Sequence, residues 1–406
     1  MTGTGRQRPS LRVLLSQPAY RRLWVARTVS QVGDVAQFTS LALLLVALTG
    51  SGLGVTAAVL AEIAPVLLLG PVAGSLVDRL PRVRVMVAAD LVRVLVAATL
   101  ALWHDSAAVA YVVAFGLSAG QVFFSPAAQS LLPAVVRDDE LVAANSGIWT
   151  AAVTAQIAVA PVAALLATEV GFGAAFTVNA FSFALSAAAL RGLREPERTT
   201  PVHVRSPFTH AREALAALGQ IPLLKALAVG QFVAALSAGA TSALLVVLAE
   251  ERLGGGEGYG LLVAAIGAGA AVGPLLLRRV DEPRRPLFVF GPYAVRGLVD
   301  LVLTVVTTVP LAAAALVVYG LSTSTGNVTF SSLVQSRVPE ELRGRAFAGF
   351  DVLWQTGRML SLLGGGLLAD AVGIRAVYLL GGLLLLGGAM LGGLATRSTP
   401  AAWGGS

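Results

Sequence analysis

The sequence predicts an all-α membrane protein: twelve transmembrane helices in two pseudo-symmetric six-helix bundles. Three observations carry that expectation. Hydrophobic residues make up 56% of the 406, whereas charged ones make up 13%, about half of the ~25% usual in soluble domains. The charges cluster, leaving eight uncharged runs of 20 residues or more, among them 35–61, 141–168 and 301–336; about 20 apolar residues suffice for one helix across a bilayer. Finally, the basic residues fall overwhelmingly in alternate loops. A soluble enzyme, a secreted disulfide scaffold and a disordered tail are thereby excluded. The net charge of +7 belongs to membrane topology rather than to nucleic acid.

The elements follow in order from apolar runs and breakers. Residues 1–21 form a polar cytoplasmic segment without the apolar core of a cleavable signal, although Leu11–Leu15 suit the membrane surface. Six spans are expected at about 22–49, 53–77, 84–103, 107–132, 142–168 and 171–193, making an N-terminal bundle over 22–193. A polar cytoplasmic loop, 194–221, follows. Six more spans, at about 222–249, 258–279, 286–309, 311–336, 342–369 and 373–396, make a C-terminal bundle over 222–396, before a cytoplasmic tail at 397–406. The separators are turn residues: Thr49-Gly50-Ser51-Gly52, His104-Asp105-Ser106, Gly171-Phe172-Gly173, Gly254-Gly255-Gly256 and Gly373. Pro310 is expected to split the long 301–336 run, because the residue before a proline is biased out of the helical region. With the N-terminus inside, 23 basic residues lie on the cytoplasmic side and two, Arg252 and Arg375, outside. That asymmetry fixes an even number of spans with both ends in the cytoplasm.

The two halves repeat at an offset of about 201–203 residues. Asp138-Asp139-Glu140-Leu141 aligns with Pro339-Glu340-Glu341-Leu342, Gly70-Pro71 with Gly273-Pro274, and Glu169 with Asp370. Equal topology in both halves implies a parallel repeat about an axis normal to the membrane. Such repeats occur in secondary transporters, with the substrate site near mid-membrane.

These residues also carry a resemblance. Gly74-Ser-Leu-Val-Asp78-Arg79-Leu-Pro-Arg82-Val-Arg84 resembles the signature loop after the second span of the major facilitator superfamily. Ser30-Gln-Val-Gly-Asp34, Phe124-Ser-Pro126-Ala-Ala-Gln129, Glu140-Leu-Val-Ala-Ala-Asn145-Ser146 and Val338-Pro-Glu-Glu-Leu-Arg343-Gly344-Arg345 are similar to its drug:proton antiporter branch, which includes macrolide-efflux-like and siderophore-exporter-like proteins. The resemblance implies two bundles that rock in alternating access. It also places spans 2 and 11 opposite each other and spans 3 and 9 at the periphery. One segment departs from the pattern: the glycine-rich antiporter motif of span 5 reads Ala160-Pro161-Val162-Ala163-Ala164.

Ionisable residues inside spans are costly and usually functional. Asp34 lies 12 residues into span 1, roughly 18 Å along a helix, and is the candidate proton or cation site. An embedded carboxyl without a partner disfavours its charged form and suits proton binding and release. Glu62 in span 2 and Arg358 in span 11 are candidates for a state-dependent bridge. The alternative is a permanent ion pair, and for Asp34 a fixed structural hydrogen bond. The pairs Asp90/Arg93 and Arg296/Asp300, three and four residues apart, share a helix face and read as self-neutralised packing pairs. Asp351 is expected to pair with Arg345 or the loop between spans 2 and 3. Gly74, Asp78, Arg79 and Arg82 form the candidate cytoplasmic latch, with topogenic charge as the alternative. Gln37, Phe38, Gln121, Trp149, Gln156, Gln231, Asn327, Trp354 and Gln355 are candidates for lining a mainly apolar cavity.

The chain has no cysteine, and His104, His203 and His210 lack metal-ligand spacing. No catalytic residue, metal or cofactor is expected. The glycine runs lack the strand and lysine of a nucleotide site, so a proton gradient rather than ATP is the expected energy source. The expected function is proton-coupled efflux of lipophilic drugs or metabolites by a monomer in the plasma membrane, with the bilayer, protons and substrate as its partners. A siderophore or small-metabolite exporter and a lysolipid transporter of the same fold are the alternatives within transport. A non-transporting scaffold or sensor is the alternative outside it.

Overall fold

The structure is a computed structural model; it describes residues 11–137, 140–193, 216, 219, 222–277, 286–338 and 340–398, a few without their side chains. Fourteen α-helices make up the described residues, with no strand among them. They are α1 Leu11–Ser16, α2 Pro18–Thr49, α3 Gly52–Arg79, α4 Arg82–Leu102, α5 Ala107–Val135, α6 Leu141–Leu165 and α7 Phe172–Leu190, then α8 Pro222–Ala243, α9 Leu245–Arg252, α10 Tyr259–Leu277, α11 Pro286–Leu303, α12 Val309–Arg337, α13 Glu340–Val372 and α14 Ile374–Ser398. A π-helical segment, Leu166–Val170, extends α6.

Among the described residues, ten helices are long and apolar enough to cross a membrane: α2 to α8, α10, α12 and α14. This makes the chain a multi-pass membrane protein. The sequence predicts spans at α11 and α13 as well. α13 is less apolar, being interrupted by Asp351, Gln355 and Arg358; α11, 18 residues long, carries Arg296 and Asp300. Large apolar side chains such as Leu95, Val112 and Phe181 stay exposed on the spans, as expected of surfaces that lipid covers.

Two boundaries differ from expectation. Pro310 does not separate two helices. It sits in the first turn of α12, where its missing N–H costs nothing and its fixed φ suits the helix; the break comes earlier, between Leu303 and Val309. The span expected at 222–249 is interrupted at Leu244 and continues as α9. The glycine turns form as expected: Gly171 and Gly373 take φ of 117° and 103°, a region open to glycine at little cost.

The chain divides into two compact units. The first comprises residues 1–41 and 61–204, the second residues 42–60 and 205–406. The end of α2 and the start of α3 therefore pack with the C-terminal helices. In the first unit a core gathers Leu14, Tyr20, Leu23, Met86, Phe124, Leu131 and Leu190, so α1 is buried in part rather than lying wholly on a surface. Glu140, 2% exposed, ties α1 to the turn before α6: it accepts from Gln17 Nε2 at 3.0 Å and from the Arg137 backbone N–H at 3.0 Å. In the second unit Leu224, Leu227, Phe290, Leu333, Phe350 and Leu385 form the matching core.

Also in the second unit, the Asp370 carboxylate near the end of α13 caps the start of α3. It accepts from Ser51 Oγ at 2.6 Å, the Gly52 N–H at 2.6 Å and the Leu53 N–H at 3.3 Å. A negative charge there offsets the unpaired donors and positive dipole end of a helix start.

Candidate functional site

In the first unit, α2, α4 and α7 bring ionisable groups together inside the spans. Arg93 on α4 is the hub. Its Nη2 donates to Asp34 Oδ1 at 2.5 Å, and its Nη1 donates to Asp90 Oδ1 at 3.3 Å and to Ser30 Oγ at 3.2 Å. Ser186 on α7 donates to the other oxygen of Asp90 at 2.6 Å. The guanidinium carbon lies 3.7 Å from the centroid of the Phe183 ring and 5.8 Å from that of Phe124, which adds a cation–π contribution. Glycine makes room for the arginine stem. A Cβ at Gly120 on α5 would lie 2.5 Å from Arg93 Cγ.

Arg93 and Asp90 are 1% and 0% exposed, whereas Asp34 is 34% exposed. Two carboxylates share one guanidinium, leaving one negative charge in excess. The most accessible member, Asp34, is where a proton can arrive. Its protonation would leave Arg93 paired with Asp90 alone.

The pair Asp90/Arg93, expected to be self-neutralised, is thus open to a third member. The sequence named Asp34 but not its partner, because the pairing joins residues 59 apart. The signal that could have found it was Ser30, one helical turn before Asp34, together with the buried arginine that span 3 carries beside its single acid, Asp90.

The remaining candidates are dispersed. In the first unit, Gln37 is buried and accepts from Asn179 Nδ2 at 2.9 Å, which gives it a packing role on α7. Phe38 and Trp149 are exposed, at 39% and 62%. Gln121 donates to Ser125 Oγ at 2.9 Å while its own Oε1 is buried without a donor. Gln156 is half-buried, as is Glu62, whose backbone carbonyl accepts from Ser118 Oγ at 2.5 Å. A hollow of about 510 Å³ opens in the same unit beside Leu76, Leu80, Arg84, Val92 and Phe123, with an almost wholly apolar wall.

In the second unit, Gln231 accepts from Tyr293 Oη at 3.0 Å, Trp354 packs on the core, Asn327 is exposed, and Arg358 and Gln355 are half-buried. Glu62 and Arg358 stand in different units. Of the latch candidates, Gly74, Asp78 and Arg79 have side chains outside the described residues; Arg82 is half-buried at the start of α4. The side chain of Arg345, the expected partner of the exposed Asp351, likewise lies outside them.

A second arginine, Arg296 on α11, stands 203 positions after Arg93. It too is buried, and it lies over an aromatic ring, Tyr319, at 4.7 Å. Its Nη2 donates to Tyr319 Oη at 2.8 Å. The charges of Arg296 and Asp300, one turn apart, act on each other without a direct ion-pair contact, and the guanidinium gives its hydrogen bond to Tyr319.

Comparison with known proteins agrees with this architecture. A protein from Bacillus subtilis (strain 168) described as the uncharacterized MFS-type transporter YfiS is 25% identical over 392 residues, covering 91% of each chain. Macrolide efflux protein A of Streptococcus pyogenes is 22% identical over 377 residues, covering 90% of this chain and 92% of its own. Among solved structures, a point mutant of the nucleoside transporter NupG superposes with a TM-score of 0.77 at 12% identity, over 93% of this chain and 99% of its own. A bacterial homologue of the iron transporter ferroportin, in an inward-facing state, superposes with a TM-score of 0.75 at 17% identity, over 93% and 98%. These likenesses establish the fold. The sequence pattern of the Major Facilitator Superfamily matches residues 23–362 and 227–404, and the chain therefore belongs to that superfamily of membrane transporters.

Proposed function

We propose that this transporter exports lipophilic drugs or metabolites in exchange for protons, by alternating access, and that Asp34 is the proton-coupling site. The observation that carries this reading is the excess acid around Arg93. Asp34 and Asp90 compete for one guanidinium, and Asp34 alone of the three is substantially exposed. A proton on Asp34 releases Arg93 to Asp90 and Ser30. Loss of that proton restores the three-membered cluster. The exchange alters how α2 is held to α4, which is the kind of two-state element that coupling requires.

The lipophilic character of the substrate is supported by the exposed Phe38 and Trp149, by the apolar hollow beside α4, and by the similarity to macrolide efflux protein A. The Gly74, Asp78, Arg79 and Arg82 loop serves as a cytoplasmic latch. The protein works as a monomer in the plasma membrane with both termini in the cytoplasm.

The test is efflux from proteoliposomes under an imposed pH gradient, with a panel of lipophilic cations and macrolides, with and without a protonophore. Gradient-driven flux that the protonophore removes, and that Asp34→Asn abolishes, is the expected result. Full gradient-driven flux in Asp34→Asn would overturn the assignment.

A further inference from the structure

The second unit holds a buried acid that the reading above does not use. Asp300 on α11 is 1% exposed; the Ser237 hydroxyl lies near its carboxyl, but no donor meets Oδ2 with good hydrogen-bond geometry. It lines a small hollow of about 10 Å³ with Thr241, Ser242, Tyr319 and Tyr378, room for about one water molecule. Arg296, one turn earlier on the same helix, is the natural counter-ion. Yet it lies beyond ion-pair distance and gives its Nη2 to Tyr319 Oη instead. Its Nε is also buried without an acceptor.

A buried carboxylate with an unpaired oxygen beside an under-used guanidinium is a costly arrangement. A neutral carboxylic acid in the same place is far cheaper, and it leaves Arg296 free to prefer the tyrosine. We propose that Asp300 is a second proton-binding carboxyl and that Arg296 switches with its state, resting on Tyr319 when Asp300 is protonated and on Asp300 when it is not. On proton uptake a hydronium ion in the hollow gives its proton to Oδ2. An O–H bond forms there, a water molecule remains, and the guanidinium moves its hydrogen bond from the carboxylate to Tyr319 Oη. Release runs in reverse.

The surroundings fit a proton better than a metal cation. Arg296 already places a positive charge beside the hollow. The other groups facing Asp300 are the hydroxyls of Ser237 and Thr241 on α8, Tyr319 on α12 and Tyr378 on α14; Tyr259 on α10 lies near Tyr378, and Tyr293 near Arg296. Tyr378 Oη donates to the Thr241 carbonyl at 2.7 Å, so its proton is committed. Tyr319 Oη accepts from Arg296 and keeps its own proton for the hollow.

The role in coupling rests on the proton-exchange reading above, but the titration is a property of the purified protein. The experiment is infrared difference spectroscopy of the full chain in lipid nanodiscs, cycled over about pH 5 to 9, the range in which perturbed carboxyls titrate. A protonated-carboxyl C=O band that rises and falls reversibly is expected. It should vanish in Asp300→Asn, persist in Asp34→Asn and change frequency in Asp300→Glu, which also serves if the asparagine variant fails to fold. Tyr319→Phe removes the competing acceptor, so Arg296 stabilises the carboxylate and the midpoint should move to lower pH by about one unit, a tenfold weaker proton affinity. A band from Asp300 that stays constant over the range, or is never seen, would overturn the proposal, and an unchanged midpoint in Tyr319→Phe would overturn the switch. Wild-type protein that shows the band but no gradient-driven flux would refute the coupling reading and leave the titration standing.

Discussion

Asp370→Asn is predicted to loosen the start of α3 from α13 without unfolding either. The native carboxylate accepts three hydrogen bonds, from Ser51 Oγ and the N–H groups of Gly52 and Leu53. An asparagine retains one acceptor oxygen, replaces the other with a donor that faces donors, and removes the charge. Loss of a helix cap costs about 0.5–2 kcal/mol, and loss of a favourable charge at a helix start about 0.3–1 kcal/mol. A net cost of about 1–2 kcal/mol raises the opened fraction about 5- to 30-fold. The chain has no cysteine, so a single thiol reports cleanly. Thr56 is fully buried, and its Oγ1 lies against Gly366 of α13. Thr56→Cys should therefore react with a small maleimide only when α3 parts from α13. The labelling rate should rise about 5- to 30-fold when Asp370→Asn is added, in keeping with that opened fraction. Equal rates in the two backgrounds would refute the capping argument.

Other outcomes follow from the buried polar groups. Gly120→Ala places a methyl against the Arg93 stem; overpacking of this kind costs about 1–3 kcal/mol, so the apparent Tm should fall and gradient-driven flux should fall with it. Ser186→Ala removes the donor to a fully buried Asp90 oxygen, with a cost of about 1–3 kcal/mol measurable by denaturation in detergent. Tyr20→Phe leaves the Ala144 carbonyl without its donor and should cost about 1 kcal/mol in the same assay, without changing the pH dependence of transport. Asp78→Asn should cut flux in proteoliposomes while insertion and monodispersity remain those of the wild type.

Much of the fold was legible because spans are written in composition. Gly171 and Gly373 marked turns since positive φ leaves few other choices. Pro310 misled because proline reads equally well as a helix start and as a helix stop, and only the neighbouring Thr304 to Thr308 break decides which. The candidate site was legible residue by residue and not in its pairings. Asp34 stood out as a charge deep in a span. That Arg93 would choose it, that Gly120 would clear its path, and that Arg296 would turn to Tyr319 depend on which helices are neighbours, and a local period of three or four residues does not carry that information. The role of Asp370 was hidden similarly: its donors lie more than 300 residues earlier in the chain.

The arginines at 93 and 296 stand at matching places in the two halves of the sequence. The acids beside them differ, one three positions before its arginine and the other four positions after. One half holds a surplus of negative charge, the other a phenol and a lone acid. Superposing the halves to transfer a residue's role from one to the other would therefore equate groups with unlike chemistry. A chimaera built from two copies of either half would keep the framework and lose the asymmetry on which the two sites depend.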